Sequence, residues 1–123
     1  MSEYNVHLQE IIKMIDKIEN ALAGKTFEDF VHDNNLSDAS LMRIHFIGET
    51  MRSIPYSLKK KYKHVKWRKF SRLRNIIGHR YANINQNIIW DVIQNLPELK
   101  NQCKEILEKE TLDKDNKSPV LRK

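Results

Sequence analysis

WRKFSRLRNIIGHRY, residues 67–81, is the stretch on which the reading of this chain turns. On an ideal helix at about 100° per residue, Trp67, Phe70, Leu73 and Ile77 fall in one apolar stripe. Arg68, Arg72, Asn75 and His79 follow one another at intervals of four, three and four and make a polar stripe on roughly the opposite side. Two arginines, an amide and an imidazole on one helix face can hold phosphate and move protons. Arg74 and Tyr81 stand seven residues apart at the edge of the apolar stripe. By geometry they read equally well as functional groups or as core-edge residues: a tyrosine with its hydroxyl in water, and an arginine reaching out to a carboxylate such as Glu49. Gly78 costs about 1 kcal/mol in a helix interior and marks a point of possible distortion.

Outward from this helix the pattern stays helical. Leu8, Ile11, Ile12, Ile15, Ile18 and Leu22 keep helical spacing over residues 4–22, and Gly24 is placed to end that helix. Residues 26–32 read as one or two turns with Thr26 as N-cap and Phe27 and Phe30 facing inward. Ser37 or Asp38 is the expected cap of a helix carrying Leu41, Ile44, Ile47 and Met51, which must stop before Pro55. Residues 56–66 form a basic connector. After a break at 82–86, where Asn83 or Asn85 can cap, a last helix is expected over about 87–109, kinked or split at Pro97. The reading is all-α: an antiparallel bundle of four to five helices over residues 1–110, followed by a flexible basic tail at 111–123.

Composition narrows the function classes. Only 3 glycines and 3 prolines in 123 residues argue against an all-β fold. The single cysteine, Cys103, allows no internal disulfide and suits a reducing cytoplasm. The opening MSEYNVHLQE lacks the layout of a signal peptide, and no apolar run approaches the ~18 residues of a membrane helix. His7, His32, His45 and His64 lack metal-ligand spacing, so no metal site is expected. The net charge of +6 conceals a segregation: no acidic residue lies between Glu49 and Asp91, while 11 of the 22 basic residues do. A basic block of this kind is the electrostatic footprint of a phosphate-bearing partner, although a solvated face that binds nothing has the same pattern.

At the central helix the chain resembles a known family. Arg74, four residues, His79, one residue and Tyr81 match the Arg-x4-His-x-Tyr signature of HepT proteins in the HEPN superfamily. The flanks agree at Ile47–Glu49, at Trp67, and from Trp90 to the LPEL run at 96–99, so the resemblance spans about residues 5–108. The chain departs from many relatives in lacking a proline before Trp67 and in carrying Thr50 where alanine is common.

The resemblance implies a dimeric helical bundle and a metal-independent endoribonuclease, with Arg74 and His79 as catalytic residues in a cleft between protomers. It further implies the toxin of a type VII toxin–antitoxin system. The partner is then a minimal nucleotidyltransferase antitoxin, which uses ATP to attach AMP to Tyr81, while the chain itself takes no cofactor. Beside these, Asn75 is placed one turn before His79 to orient it. Arg68 and Arg72, with Lys59, Lys60 and Lys61 behind them, are the candidates for the RNA backbone. The alternative is a non-catalytic HEPN module that binds nucleic acid or serves as scaffold in a nucleotidyltransferase complex.

Overall fold

A computed structural model describes the backbone of residues 3–117 and the side chains of residues 4–112. Among the described residues there are seven α-helices, one 3-10 turn and no strand. Four are long: α1 (Glu3–Leu22), α3 (Asn34–Arg52), α5 (Trp67–Arg80) and α7 (Leu96–Lys117). Three short helices join them: α2 (Phe27–His32), α4 (Tyr56–Lys61) and α6 (Gln86–Gln94). The all-α bundle expected from periodicity is present. No described helix is long and apolar enough to cross a membrane.

Local chemistry sets most boundaries. Gly24, with φ of 74°, turns the chain out of α1 in the left-handed region that favours glycine. Thr26 closes a capping box on α2: its hydroxyl accepts from the Asp29 amide at 3.1 Å, and the Asp29 carboxylate accepts from the Thr26 amide at 2.9 Å. Asp29 is thereby held below the usual carboxylate range, chiefly by that backbone bond. Phe30 is buried, and Phe27 and Phe30 both pack on the ring of Trp90, at 5.8 and 5.3 Å between centroids. α3 starts earlier than read from sequence. Its cap is Asp33, whose carboxylate accepts from the Leu36 amide, and neither Ser37 nor Asp38 fills that role. The Ser37 hydroxyl is instead buried inside the first turn and donates to the Asp33 carbonyl.

Near Pro97 the last helical stretch is split. α6, capped by Asn85, ends at Gln94, and α7 starts at Leu96 with the proline in its first turn, where a missing N–H costs nothing. α7 then continues to Lys117, past the expected end near Lys109, so residues 111–117 are helical where a frayed tail was expected. Residues 118–123, the rest of that expected tail, lie outside the described residues.

The core is the set of apolar stripes read from the sequence. Leu8, Ile11, Ile15 and Ile18 of α1 meet Leu41, Ile44, Ile47 and Met51 of α3, all at 1% exposure or less. α3 packs against α1 on one side and α5 on the other, and α1 also packs on α7. Across the α1–α7 contact Lys100 bridges Asp16 and Glu19 at 3.0 and 2.7 Å. Cys103 is fully buried there, which pushes its thiol up to about 12 and keeps it neutral.

Gly48 decides how near α3 and α5 come. A Cβ on Gly48 would stand 2.7 Å from the Phe70 carbonyl oxygen and 2.8 Å from the Arg74 Cβ. Backbone lies against backbone here, so there is no room for any other residue. Gly78, the other helical glycine, has only the His45 ring at 4.0 Å and the helix runs straight through it. Gly48→Ala is therefore expected to lose about 1–3 kcal/mol through overpacking. Gly78→Ala should hold stability or gain up to about 1 kcal/mol from helix propensity. Urea titration of the two variants beside the wild type checks the contrast.

Candidate active site on the α3–α5 helix pair

The start of α5 is fixed by its tryptophan. The Trp67 indole N–H donates to the Tyr62 carbonyl at 3.0 Å and substitutes for a side-chain cap, which is absent at Lys66. From that anchor, Trp67, Phe70, Leu73 and Ile77 are buried and the opposite stripe, Arg68, Arg72, Asn75 and His79, is exposed. His79 lies in the last turn, and Tyr81, 45% exposed, caps the helix and opens the 3-10 turn Tyr81–Asn83.

Arg74 is directed toward α3. One terminal nitrogen donates to Glu49 at 3.2 Å and the other to the Asn75 amide oxygen at 2.7 Å. Its Nε is enclosed and donates to no described group, and the side chain as a whole is 15% exposed. Glu49 also stands 3.8 Å from Arg52, one turn further along α3. The sequence alternative of an arginine paired with Glu49 is thus present in the fold. A guanidinium carries five N–H donors, so two bonds and an enclosed Nε leave one hydrogen on each terminal nitrogen for a ligand. Asn75 was placed by sequence to orient His79. The described residues pair its amide with Arg74.

Tyr81 turns back across the end of the helix pair. With Met42 and His45 of α3 and Ile77 and Gly78 of α5, it lines a cavity of about 250 Å³. Its phenol is held above its usual range, first by a hydrogen-bonding interaction with the Asp38 carboxylate and then by partial desolvation. Met42, His45 and Glu49 follow each other on α3 at intervals of three and four, and this stripe of α3 faces Tyr81, Gly78 and Arg74.

The basic residues fall into two groups. Arg68 and Arg72, with Lys66 and Lys69, rim a groove of about 590 Å³ whose floor includes Leu73, Ile76 and Ile88. Ile76 and Ile88 are 45% and 53% exposed. Lys60 on α4 is exposed, whereas Lys61 is bound to Glu110 of α7 at 2.7 Å. Lys59 is half-buried, and desolvation, followed by repulsion from Arg52, lowers its pKa. Among the described residues no group of three or more His, Cys, Asp or Glu side chains is arranged to hold a metal ion.

A family model described as "Ribonuclease HepT-like" matches residues 11–106. The chain belongs to that family. Among relatives of this HepT-like chain, one from Caldanaerobacter subterraneus subsp. tengcongensis, named "Putative RNase", is 33% identical over 105 residues, 85% of this chain and 94% of the relative. "Probable ribonuclease HepT" of Thermococcus cleftensis is 27% identical over 101 residues, 81% of this chain and 92% of the relative. A protein of Methanocaldococcus jannaschii named "Gamma-glutamylcyclotransferase and putative RNase" is 31% identical over 97% of this chain, which spans only 54% of that relative's length. No solved structure matches the chain significantly.

In this HepT-like chain Asp38 reads from the sequence only as a cap candidate, and His45 only as one of four histidines without metal-ligand spacing. The signal was the recurrence of Asp38, His45 and Glu49 on one helical face, which gains meaning only once α5 is known to lie against it. The Arg74–Glu49 pair is open to water on the Glu49 side, where the side chain is 46% exposed. Glu49→Gln is accordingly expected to cost no more than about 1 kcal/mol of stability. A thermal melt tests this, and a markedly larger loss would mean the pair is a buried structural bridge.

Proposed function

We propose that this HepT-like protein is a metal-independent endoribonuclease and the toxin of a toxin–antitoxin pair. It acts as a dimer and is silenced when a minimal nucleotidyltransferase transfers AMP from ATP to Tyr81. The observation that carries the reading is the end of α5. There an arginine steered by α3, a solvent-facing histidine and an open tyrosine occupy two turns of one helix in a ribonuclease-like family.

The chemistry follows from those groups. Metal-free RNA cleavage needs the 2′-hydroxyl to attack the adjacent phosphorus, a base to take its proton, and an acid to protonate the departing 5′-oxygen. Histidine as a residue type serves either step, because imidazole gains and loses a proton near neutrality. The motif supplies one such histidine per chain, His79. Two protomers joined about a two-fold axis supply a base and an acid together. Arg74 complements the charge that builds on phosphorus with its remaining terminal hydrogens, while Glu49 and Asn75 fix the plane of the guanidinium. Arg68 and Arg72, helped by the lysines of α4, hold the backbone through phosphate contacts that favour affinity over sequence choice.

Tyr81 is suited to its part by exposure. A phenolic oxygen open to solvent on the last turn can accept a nucleotidyl group. The transferred AMP then sets a bulky anion beside His79, which obstructs RNA and cancels positive potential. The second reading, a scaffold without catalysis, is favoured by one feature: Arg74 already has a carboxylate and an amide partner.

Cleavage of an RNA oligomer in EDTA separates the two. The wild type should cleave, His79→Ala should be slower by about 10²–10⁴-fold, and Arg74→Ala by about 10²–10³-fold. Equal rates in wild type and His79→Ala would remove the mechanism, and binding without cleavage would favour the scaffold.

A further inference from the structure

Between α5 and α6 runs the groove of about 590 Å³, and no carboxylate is among the described residues that line it. Lys63, Lys66, Arg68, Lys69 and Arg72 stand around it, and none of the five forms an ion pair among the described residues. Its floor is nevertheless apolar: Ile76 and Ile88, each about half exposed, line it together with the buried Leu73 and Val92. Covering the two isoleucines is favourable through the apolar area removed from water, and the unpaired cations favour anions beside it. A second copy of the chain is a poor match, because a two-fold contact sets a patch against itself and would bring the same five cations together. An unpaired nucleotide of RNA matches both halves, with a flat uncharged base and a phosphate on either side of it. An acidic protein segment has similar chemistry, but position favours RNA. Ile76 is one turn before His79 on α5, about 4.5 Å along the axis and about 60° around it. Arg72 is about 10 Å before His79 and about 40° around from Ile76, so the groove shares a face with the proposed reacting end.

We propose that the α5–α6 groove is a nucleobase subsite, in which one unpaired base of the RNA lies on Ile76 and Ile88 while Arg68, Arg72 and the lysines of the rim hold the phosphates next to it. The subsite rests on RNA being the substrate and adds a requirement for unpaired strand. A base within a duplex keeps its faces stacked on its neighbours and does not reach the floor. Ile76, Ile88, Leu73 and Val92 carry no side-chain donor or acceptor to read a base edge. The groove therefore separates unpaired from paired RNA with little choice among the bases. A nucleotide seated there also fixes the strand along α5 and brings its neighbouring phosphates toward His79.

Affinity is read by fluorescence anisotropy of the full chain with two strands of equal length at one salt concentration. One is a short 2′-O-methyl RNA, whose blocked 2′-hydroxyls prevent cleavage, and the other is an abasic phosphodiester strand that keeps only the charge. The wild type should bind the RNA about 5-fold more tightly than the abasic strand, the low end of what a stacked base contributes. The paired change Ile76→Ser and Ile88→Ser should remove that ratio and leave the abasic affinity as it was, whereas Ile76→Met with Ile88→Met should keep it. Arg72→Gln should weaken both strands alike. The isoleucine variants should stay folded and keep the wild-type oligomeric state by light scattering, because both side chains are already half exposed. Equal affinity of the wild type for the two strands overturns the nucleobase subsite, and so does a ratio that survives the serine changes. A serine variant that falls to a smaller assembly also overturns it and assigns the groove to a second copy. One that keeps the ratio but is no longer modified by the nucleotidyltransferase assigns the groove to a protein partner. A wild type that binds neither strand overturns the RNA reading of the whole site and the subsite with it.

Discussion

The site depends on the absence of one side chain. At Gly48 the backbones of α3 and α5 meet so closely that a single added carbon would stand within 3 Å of both the Phe70 carbonyl and the Arg74 Cβ. That approach leaves Arg74 with its stem against α3 and its head beside Glu49. It also sets the register in which Met42, His45 and Glu49 meet Tyr81, Gly78 and Arg74. A wider spacing would return the arginine to solvent and part Tyr81 from α3. The fold gains tight packing from Gly48, and the site gains a directed guanidinium.

The same helix pair explains how a cleaving group and a silencing group can share one end of the molecule. In the proposed function His79 and Tyr81 are two residues apart, so whatever occupies the tyrosine stands beside the histidine. Arg68 and Arg72 lie further back along the exposed face of α5, on a groove whose floor is apolar. In that proposal RNA drawn along the face meets Arg68 and Arg72 before the reacting end, where Glu49 already partners Arg74. In the same proposal an adenylate on Tyr81 fills the end of the path and reduces its charge.

Much of this was legible in the sequence where a residue's own helix decides its environment. The buried stripe Trp67, Phe70, Leu73 and Ile77 and the exposed stripe Arg68, Arg72, Asn75 and His79 are properties of α5 alone, and periodicity found both. Thr26 was legible as a cap, and Asn85 as one of two candidates beside Asn83, because capping is a local bond. What was illegible depends on a second element. Nothing within residues 34–52 says that His45 comes to lie beside Gly78 of α5, and Asp38 reads as a helix cap until Asp33 is seen to do that work. Asn75 was read against His79, its neighbour on the wheel, but the α3 contact brings the Arg74 head to its amide. The helix beyond Lys109 was missed because its residues are polar, leaving no apolar period to follow.

The central claim is that one helix end carries both the cleaving chemistry and its off switch. It is tested most directly by measuring RNA cleavage and intact mass on the same preparation as the nucleotidyltransferase and ATP act on it. The account predicts that the cleavage rate falls in proportion to the fraction of chains carrying added AMP, and that Tyr81→Phe gains no mass and keeps cleaving. A fully modified chain that still cleaves at the starting rate would contradict it.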